Sequence, residues 1–335
     1  NVLVVGLGKS GLNSAYLLKE LGANVTVNDK NIPTDKQVLS ELEDAGIKVV
    51  VGSHPLALLD EAELIVKNPG IPYTNPLIAE AQNRGFLIIT EPELAYEIAD
   101  ADLVGVTGTN GKTTTTTLIS LMLNHLKNKN KAYACGNIGI SAVETAKKAT
   151  VDDILVMELS SFQLLGITKL HPKIAVLTNI YEAHTDYHGS RENYVKAKMR
   201  LLKNQTKTDH FVVNFDQAEW RELSQQAKAK VVPFSRTAFT KEGAYEENGI
   251  LYFKDEAIMP ADEIKVPGTH NIENALAAIA VAKLMGVATA DIVEVLQTFS
   301  GVKHRTQYVT TFNERKFYND SKATNIEATE KALAG

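Results

Sequence analysis

The sequence predicts an α/β protein built from parallel sheets and crossover helices, and three observations carry that expectation. Residues 1–90 alternate short apolar runs with helical segments, the spacing that βαβ units impose. Two glycine-rich turns, "GLGKSG" (Gly6–Gly11) and "GTNGKTT" (Gly108–Thr114), each follow an apolar run and open a helix. A second series of strands and helices starts at Leu103.

In chain order, Val2–Val5 is expected as a buried strand, Gly11–Leu21 as a helix and Asn24–Asn28 as a strand. Lys36–Ala45 is helical, Lys48–Val51 and Leu64–Val66 extended, Pro76–Arg84 helical and Phe86–Ile89 extended. "TEPE" (Thr90–Glu93) breaks the alternation and marks a first boundary. The second series has strands at Leu103–Val106, Ala132–Cys135, Ile154–Met157, Ile174–Leu177, Phe211–Asn214 and Val231–Phe234. "ENG" between Tyr245 and "ILYF" signals a hairpin within Glu246–Lys254. Asn271–Met285 is an apolar helix closed by Gly286. Near Gly301 the character changes: "YVTTF" and "KFYN" flank "NER" as a second hairpin. The expected domains are therefore 1–90, 91–300 and a third that begins at 301 and runs to 335. The chain opens inside a strand without methionine and stops within a helical pattern, so further structure is expected beyond Gly335.

The 335 residues are 44% hydrophobic and 22% charged, as in ordinary soluble globular proteins. No apolar run reaches the roughly 18 residues of a membrane span, and a net charge of −5 gives no footprint for nucleic acid. Lys127–Lys131 is expected as a solvated helix end. A single cysteine, Cys135, excludes an internal disulfide framework and fits a reducing compartment. A cytoplasmic enzyme or switch protein, with neither membrane nor nucleic acid as partner, is the class that remains.

Gly6, Gly8 and Gly11 fit G-x-G-x-x-G between a strand and a helix, with Asp29 closing the next strand. Such a turn holds phosphate at a helix N-terminus whatever the rest of the ligand is. A dinucleotide needs two βαβαβ halves. With only about 90 residues before the next phosphate loop, half a site suits a mononucleotide or a nucleotide sugar.

In the second turn, Gly108 and Gly111 free backbone amides for phosphate oxygens, Lys112 supplies a charge for the β/γ-phosphates, and Thr113 a hydroxyl for Mg²⁺. The spacing departs from G-x-x-x-x-G-K-[ST], because Val106 stands where the first glycine belongs. "ILVMELSS" is a buried strand delivering Glu158, a carboxylate that can hold Mg²⁺ and would be costly to bury without a partner. "TNIYEAHTDYHGS" brings His184, Asp186 and His188 to the same sheet edge. Lys198 lies four residues after Tyr194 and just before Leu201 and Leu202, on the apolar stripe of a helix over Arg191–Lys203. A lysine so placed either snorkels or is buried, loses its proton and is modified.

Together "GTNGKTT", "GNIG" (136–139), "ELSSFQL" (158–164), "NIYEAHTDYHGS" (179–190), "KAKMR" (196–200), "GTHNIENALAA" (268–278), "HR" (304–305) and "NDSKATN" (319–325) resemble the Mur ligases, the ATP-dependent amide-forming enzymes of peptidoglycan synthesis. The resemblance spans the whole chain. It implies a Rossmann-like N-terminal domain for a UDP-linked substrate and a central P-loop ATPase-type domain. A Rossmann-like third domain that takes the amino acid would follow, with only its start present. "GLGKSG", "NPGIP" and "NDSKATN" resemble the member that adds D-glutamate to UDP-N-acetylmuramoyl-L-alanine through an acyl phosphate. That member acts as a cytoplasmic monomer in cell-wall biogenesis, cell shape and division.

By motif, the resemblance assigns Lys9, Ser10, Asp29, Lys30, Asn68, Gly70 and Asn137 to the UDP substrate. It assigns Gly108, Thr109, Asn110, Gly111, Lys112, Thr113, Thr114, Asn271, Asn274, Arg305 and Asp320 to ATP. Thr113 and Glu158 match one Mg²⁺ site, and His184 with Lys198, carbamylated by CO₂, a second. Lys112, Glu158, His184 and Lys198 are the expected catalytic set, and Lys322 and Thr324 the region that meets D-glutamate. Ala183 precedes His184 where the resemblance would place an acidic residue. Three other readings compete. A nicotinamide dehydrogenase fails on domain size and on the second phosphate turn. A P-loop switch leaves Lys198 and "NDSKATN" unexplained. A folylpolyglutamate synthetase shares the ATP core, but its first domain would not begin with "GLGKSG"; another Mur-type ligase is the nearest alternative.

Overall fold

The computed structural model describes residues 1–305 and 307–322. The chain divides into two compact units. The first holds Asn1–Asp100 with Cys135–Ala149 and Leu159–Leu170; the second holds Ala101–Ala134, Thr150–Glu158 and the chain from His171 onward.

The first hundred residues run β1 (Val2–Val5), α1 (Lys9–Glu20), β2 (Val25–Asp29), α2 (Gln37–Asp44), β3 (Lys48–Val51), β4 (Leu64–Lys67), α3 (Pro76–Asn83), β5 (Leu87–Ile89) and α4 (Glu91–Ile98). The five strands form one parallel sheet in the order β3-β2-β1-β4-β5. β1 is apolar and buried at every position, as a strand covered on both faces must be. The chain leaves β1 for β2 on one side and later returns to β4 on the other. Such a reversal opens a crevice beyond the carboxyl ends of the strands. Leu3, Val5, Ile65, Leu77 and Ile78 pack the core beneath it. Asn75 caps α3, its side chain accepting from the Leu77 and Ile78 amides, and Pro76 takes the first helical position. "TEPE", where the sequence alternation breaks, opens α4: Thr90 is its N-cap and Pro92 sits in the first turn, where no amide hydrogen is needed.

The rest of the chain runs β6 (Asp102–Thr107), α5 (Lys112–Leu123), β7 (Ala132–Gly136), α6 (Ala142–Ala146), β8 (Ile154–Glu158), α7 (Ser161–Leu164), β9 (Ile174–Leu177), α8 (Thr185–His188) and α9 (Arg191–Met199). It continues through β10 (His210–Asn214), α10 (Ala218–Ser224), β11 (Lys230–Ser235), β12 (Ala244–Glu247), β13 (Ile250–Phe253) and β14 (Glu256–Pro260). Then follow α11 (Thr269–Met285), α12 (Thr289–Thr298), β15 (Gln307–Phe312) and β16 (Arg315–Asn319). Strands β6 to β14 make a sheet in the order β14-β13-β12-β11-β10-β9-β6-β8-β7. The run from β12 to β8 is parallel, and β13 and β14 add antiparallel strands at the edge. Here the order reverses at β6, flanked by β8 and β9.

α11 explains the core of this unit. It packs on α5 and on strands β10 to β13, and Ala275 through Ala282 are all buried. A helix that is apolar all round belongs inside, and its alanines let backbones approach closely. Gly286 ends it in the left-handed conformation, φ 89°.

Both hairpins expected from the sequence form. Asn248 and Gly249 have φ of 52° and 77°, and Asn313 and Glu314 of 48° and 63°, the two left-handed residues that a type I′ turn requires. The Lys127–Lys131 run differs from expectation. α5 stops at Leu123, and the run lies in the loop before β7. Lys129 pairs with Asp102 at 3.0 Å and the Lys131 ammonium sits 4.9 Å from the Tyr133 ring centre. The helix expected over Arg191–Lys203 is α9 to Met199, tightening to a 3-10 turn over Arg200–Leu202.

Candidate functional site

β6 hands over to α5 through Gly108–Gly111. A Cβ on Gly108 would stand 1.9 Å from Thr178 Oγ1, so only glycine fits. Gly111 is the N-cap of α5 at φ 81°, a conformation glycine adopts without penalty. The turn is stitched to the end of β9. Thr178 Oγ1 donates to the Asn110 carbonyl at 2.7 Å, the Asn110 amide to Asn179 Oδ1 at 2.8 Å, and the Thr109 amide to the Asn179 carbonyl at 2.9 Å.

Three elements bring charge to this turn. Lys112, the first residue of α5, folds its ammonium back onto the Gly108 and Thr109 carbonyls at 2.9 and 2.8 Å. One residue later Thr113 Oγ1 donates to Glu158 Oε2, at the end of β8, at 2.8 Å. From α9, Lys198 Nζ reaches the same Gly108 carbonyl at 2.6 Å. Tyr194, one turn earlier, supports it: its ring centre is 4.6 Å from that ammonium and its hydroxyl pairs with Thr109 Oγ1 at 3.0 Å. Tyr194 and Lys198 are 1% and 2% exposed, so the lysine on the apolar stripe is buried and does not snorkel.

The electrostatics follow from this crowding. Burial pushes Lys198 well below the ordinary lysine range, and the Lys112 cation adds to it while Glu158 opposes. Burial also lowers Lys112, with Arg305 adding and Glu158 opposing. His184 is lowered by burial and then by the Lys198 and Lys112 cations. Its backbone is left-handed, φ 56°, a strained conformation for a residue with a Cβ that is characteristic of functional sites.

Of the other residues expected at ATP, Asn110, Gly111, Thr114, Asn271, Asn274, Arg305 and Asp320 line one cleft. Asn274 is fixed inside it, accepting from Thr115 Oγ1 at 3.2 Å and donating to Asn271 Oδ1 at 3.1 Å. Lys322 is exposed, its amide donating to the His304 carbonyl at 3.1 Å. Thr324 lies outside the described residues.

The first unit has its own cleft at the β1/β4 crevice, lined by Lys9, Ser10, Asn68, Gly70 and Asn137. Lys9 Nζ donates to the Gly139 carbonyl at 2.8 Å. Asp29 and Lys30 lie outside this lining; the Asp29 carboxylate instead accepts from the Leu7 amide at 2.7 Å, fixing the glycine-rich turn.

Two groups escaped sequence reasoning. Glu91 is 5% exposed and accepts from Ser10 Oγ at 2.7 Å and Ser141 Oγ at 2.6 Å, joining the first turn of α1 to the N-cap of α6. "TEPE" looked like a boundary, which hid it. Thr178 and Asn179 carry the second turn; two polar residues ending the apolar run "IAVLTN" were the available signal.

Comparison with known proteins places this geometry. Residues 1–90 match the family model of the Mur ligase MurD-like N-terminal domain, and residues 106–282 that of the Mur ligase middle domain. UDP-N-acetylmuramoylalanine–D-glutamate ligase of Ligilactobacillus salivarius is 68% identical over 334 residues, all of this chain and 73% of the relative. The proteins of the same name from Lactiplantibacillus plantarum and Enterococcus faecalis are 63% and 58% identical, each over all of this chain and 73% of the relative. Among solved structures, the UDP-N-acetylmuramate-alanine ligase MurC of Thermotoga maritima superposes with a TM-score of 0.60 at 22% identity, covering 100% of this chain and 76% of that one. The Thermotoga maritima MurF ligase in complex with ADP gives 0.59 at 19%, covering 92% and 70%; at such identities the likeness is one of fold. With two family models covering most of it and relatives this similar along its whole length, the chain belongs to the Mur ligase family.

Proposed function

We propose that this chain joins D-glutamate to UDP-N-acetylmuramoyl-L-alanine at the expense of ATP, in the cytoplasm, as a step of peptidoglycan synthesis. The support for the substrates is the 68% identity to a ligase of that name. The support for phosphoryl transfer is one geometric observation: Lys112 and Lys198 converge on the Gly108 carbonyl while Thr113 meets Glu158 beside them. In this reading, residues 1–90 form the UDP-substrate domain, 91–300 the ATP domain, and the amino-acid domain begins at 301.

The γ-phosphoryl of ATP goes to the carboxylate of the L-alanine moiety, and ADP leaves. The amine of D-glutamate attacks the acyl phosphate, an amide bond forms and inorganic phosphate departs. The α5 N-terminus and Lys112 hold the triphosphate. Asn271, Asn274, Arg305 and Asp320 orient the rest of the nucleotide in their cleft. Lys9, Ser10, Asn68, Gly70 and Asn137 hold the UDP moiety. Asp29 secures the glycine-rich turn, and Lys30, the next residue along the chain, belongs to the same substrate region. Lys322 and Thr324 belong to the D-glutamate region.

The donor set fits a divalent cation at one end, where Thr113 Oγ1 and Glu158 Oε2 are adjacent buried oxygens. Bound Mg²⁺ would offset the repulsion between carboxylate and triphosphate and stabilise the transferring group. At the other end, His184 beside an ammonium does not fit a cation. Having lost its proton, the neutral amine of buried Lys198 would add to CO₂: the N–C bond forms as one C–O π bond opens, the nitrogen gives up a proton to solvent, and a neutral group becomes a carboxylate-like ligand.

Phosphate release by the purified protein, with each substrate omitted in turn, tests the assignment. Release should require ATP, UDP-N-acetylmuramoyl-L-alanine and D-glutamate together. Release driven by a different amino acid would transfer the chain to another Mur-type ligase, and release with a folate acceptor to a folylpolyglutamate synthetase.

A further inference from the structure

Lys67, the last residue of β4, has no role in the chemistry above, yet its side chain is wholly buried. Its ammonium donates to the carbonyls of Asn68 and Pro69 at 3.2 Å each and of Ile71 at 2.6 Å. It also lies 4.8 Å from the centre of the Tyr73 ring. An ammonium carries three donors and no acceptor, and here three of its contacts are carbonyls of the single turn "NPGIP". Burying a lysine is costly, and a turn that needed only to reverse direction could satisfy its carbonyls in water.

What this turn does makes the cost intelligible. Asn68 Oδ1 accepts from the Gly70 amide at 3.2 Å, and both residues line the first-unit cleft. The turn meets the glycine-rich loop without slack. A Cβ on Gly8 would stand 2.6 Å from Asn68 Nδ2, and one on Gly6 would stand 2.6 Å from Asn68 Cβ and 3.0 Å from the Ile71 side chain. A small displacement of the turn therefore moves the cleft wall against the loop that opens α1.

We propose that Lys67 is a positioning residue for the UDP-linked substrate, acting as an internal clamp that fixes the Asn68–Ile71 turn against the glycine-rich loop. The proposal rests on the first-unit cleft being the UDP-substrate site. It assigns Lys67 no contact with substrate; its effect passes through the Asn68 and Gly70 backbone.

The test uses Lys67→Met, which keeps the stem and removes the donors, and Lys67→Gln, which keeps two donors on a shorter stem. Initial rates should show KM for UDP-N-acetylmuramoyl-L-alanine raised about tenfold or more in Lys67→Met, with kcat and the KM values for ATP and D-glutamate within about twofold of wild type. Lys67→Gln should fall between. Titration with UDP alone should weaken in parallel. Unchanged UDP-substrate KM in either folded variant overturns the proposal, as does an equal rise in all three KM values, which would mark a merely structural role. If Lys67→Met does not fold, Lys67→Gln decides by the same split. Wild-type protein with no affinity for UDP would instead overturn the cleft assignment, which keeps the two failures apart.

Discussion

Burial drives the amines of Lys67, Lys112 and Lys198 below their ordinary range, Lys67 to about 7, and a lowered lysine has a definite effect on stability. Between the folded value and the ordinary 10.5, the unfolded chain holds a proton that the folded chain lacks. Stability therefore rises with pH across that window. For Lys67 the window is about 7 to 10.5, and the slope approaches about 1.4 kcal/mol per pH unit for one proton. Denaturant midpoints measured from pH 6 to 10 should rise with pH in wild type relative to Lys67→Met; parallel curves would refute the lowered value. Lys112→Ala should lose phosphoryl transfer by at least about a hundredfold, because a charge aimed at the transferring group is worth several kcal/mol there. The fold should persist. Activity within about threefold of wild type, roughly 0.65 kcal/mol, would remove the assigned role. Lys198→Ala should be nearly inactive and partly rescued by short-chain carboxylates, with a carbamate carbon detectable by NMR after labelled CO₂ is added to wild type. Full activity without rescue would end that assignment.

The elements show where sequence was informative and where it was not. Strand–glycine turn–helix units were legible because each glycine answers a local demand. Hairpins at "ENG" and "NER" were legible because two left-handed residues in a row are a chemical requirement of the turn. Glu91 was not legible, since its partners Ser10 and Ser141 lie 81 and 50 residues away, and a short local pattern carries no trace of them. Lys67 was equally hidden: it ends an apolar strand, where a charged residue ordinarily means the chain has reached water. The glycines supply a contrast to measure. At Gly286 a Cβ meets nothing within 4 Å, so Gly286→Ala should cost only the left-handed penalty, about 1 kcal/mol. At Gly11 a Cβ would stand 1.9 Å from the Gly6 carbonyl oxygen, so α1 must shift. Gly11→Ala should cost distinctly more and abolish UDP-substrate binding. Equal denaturant midpoints for the two variants would show that the close approach does not constrain the turn.

At the scale of the whole molecule, the path of the chain sets the cooperativity. The first unit owns Cys135–Ala149 and Leu159–Leu170, and the second owns the residues before, between and after them. The chain thus passes from one unit to the other after residues 100, 134, 149, 158 and 170. β8 ends at Glu158, and the next residue already belongs to the first unit. β7 contributes residues to both. Losing the sheet of the second unit would therefore free two segments of the first, including Asn137, Gly139 and Ser141, and with them the partners of Lys9 and Glu91. Multidomain chains usually depart from two-state unfolding, but this threading opposes separate melting. Calorimetry should show one transition, with calorimetric and van't Hoff enthalpies equal. It should be raised by either ligand alone, since a ligand present at a hundred times its Kd stabilises the form it binds by about 2.7 kcal/mol. A UDP ligand that shifts one resolved transition and an ATP analogue that shifts another would show that five crossings of the chain do not couple the two units.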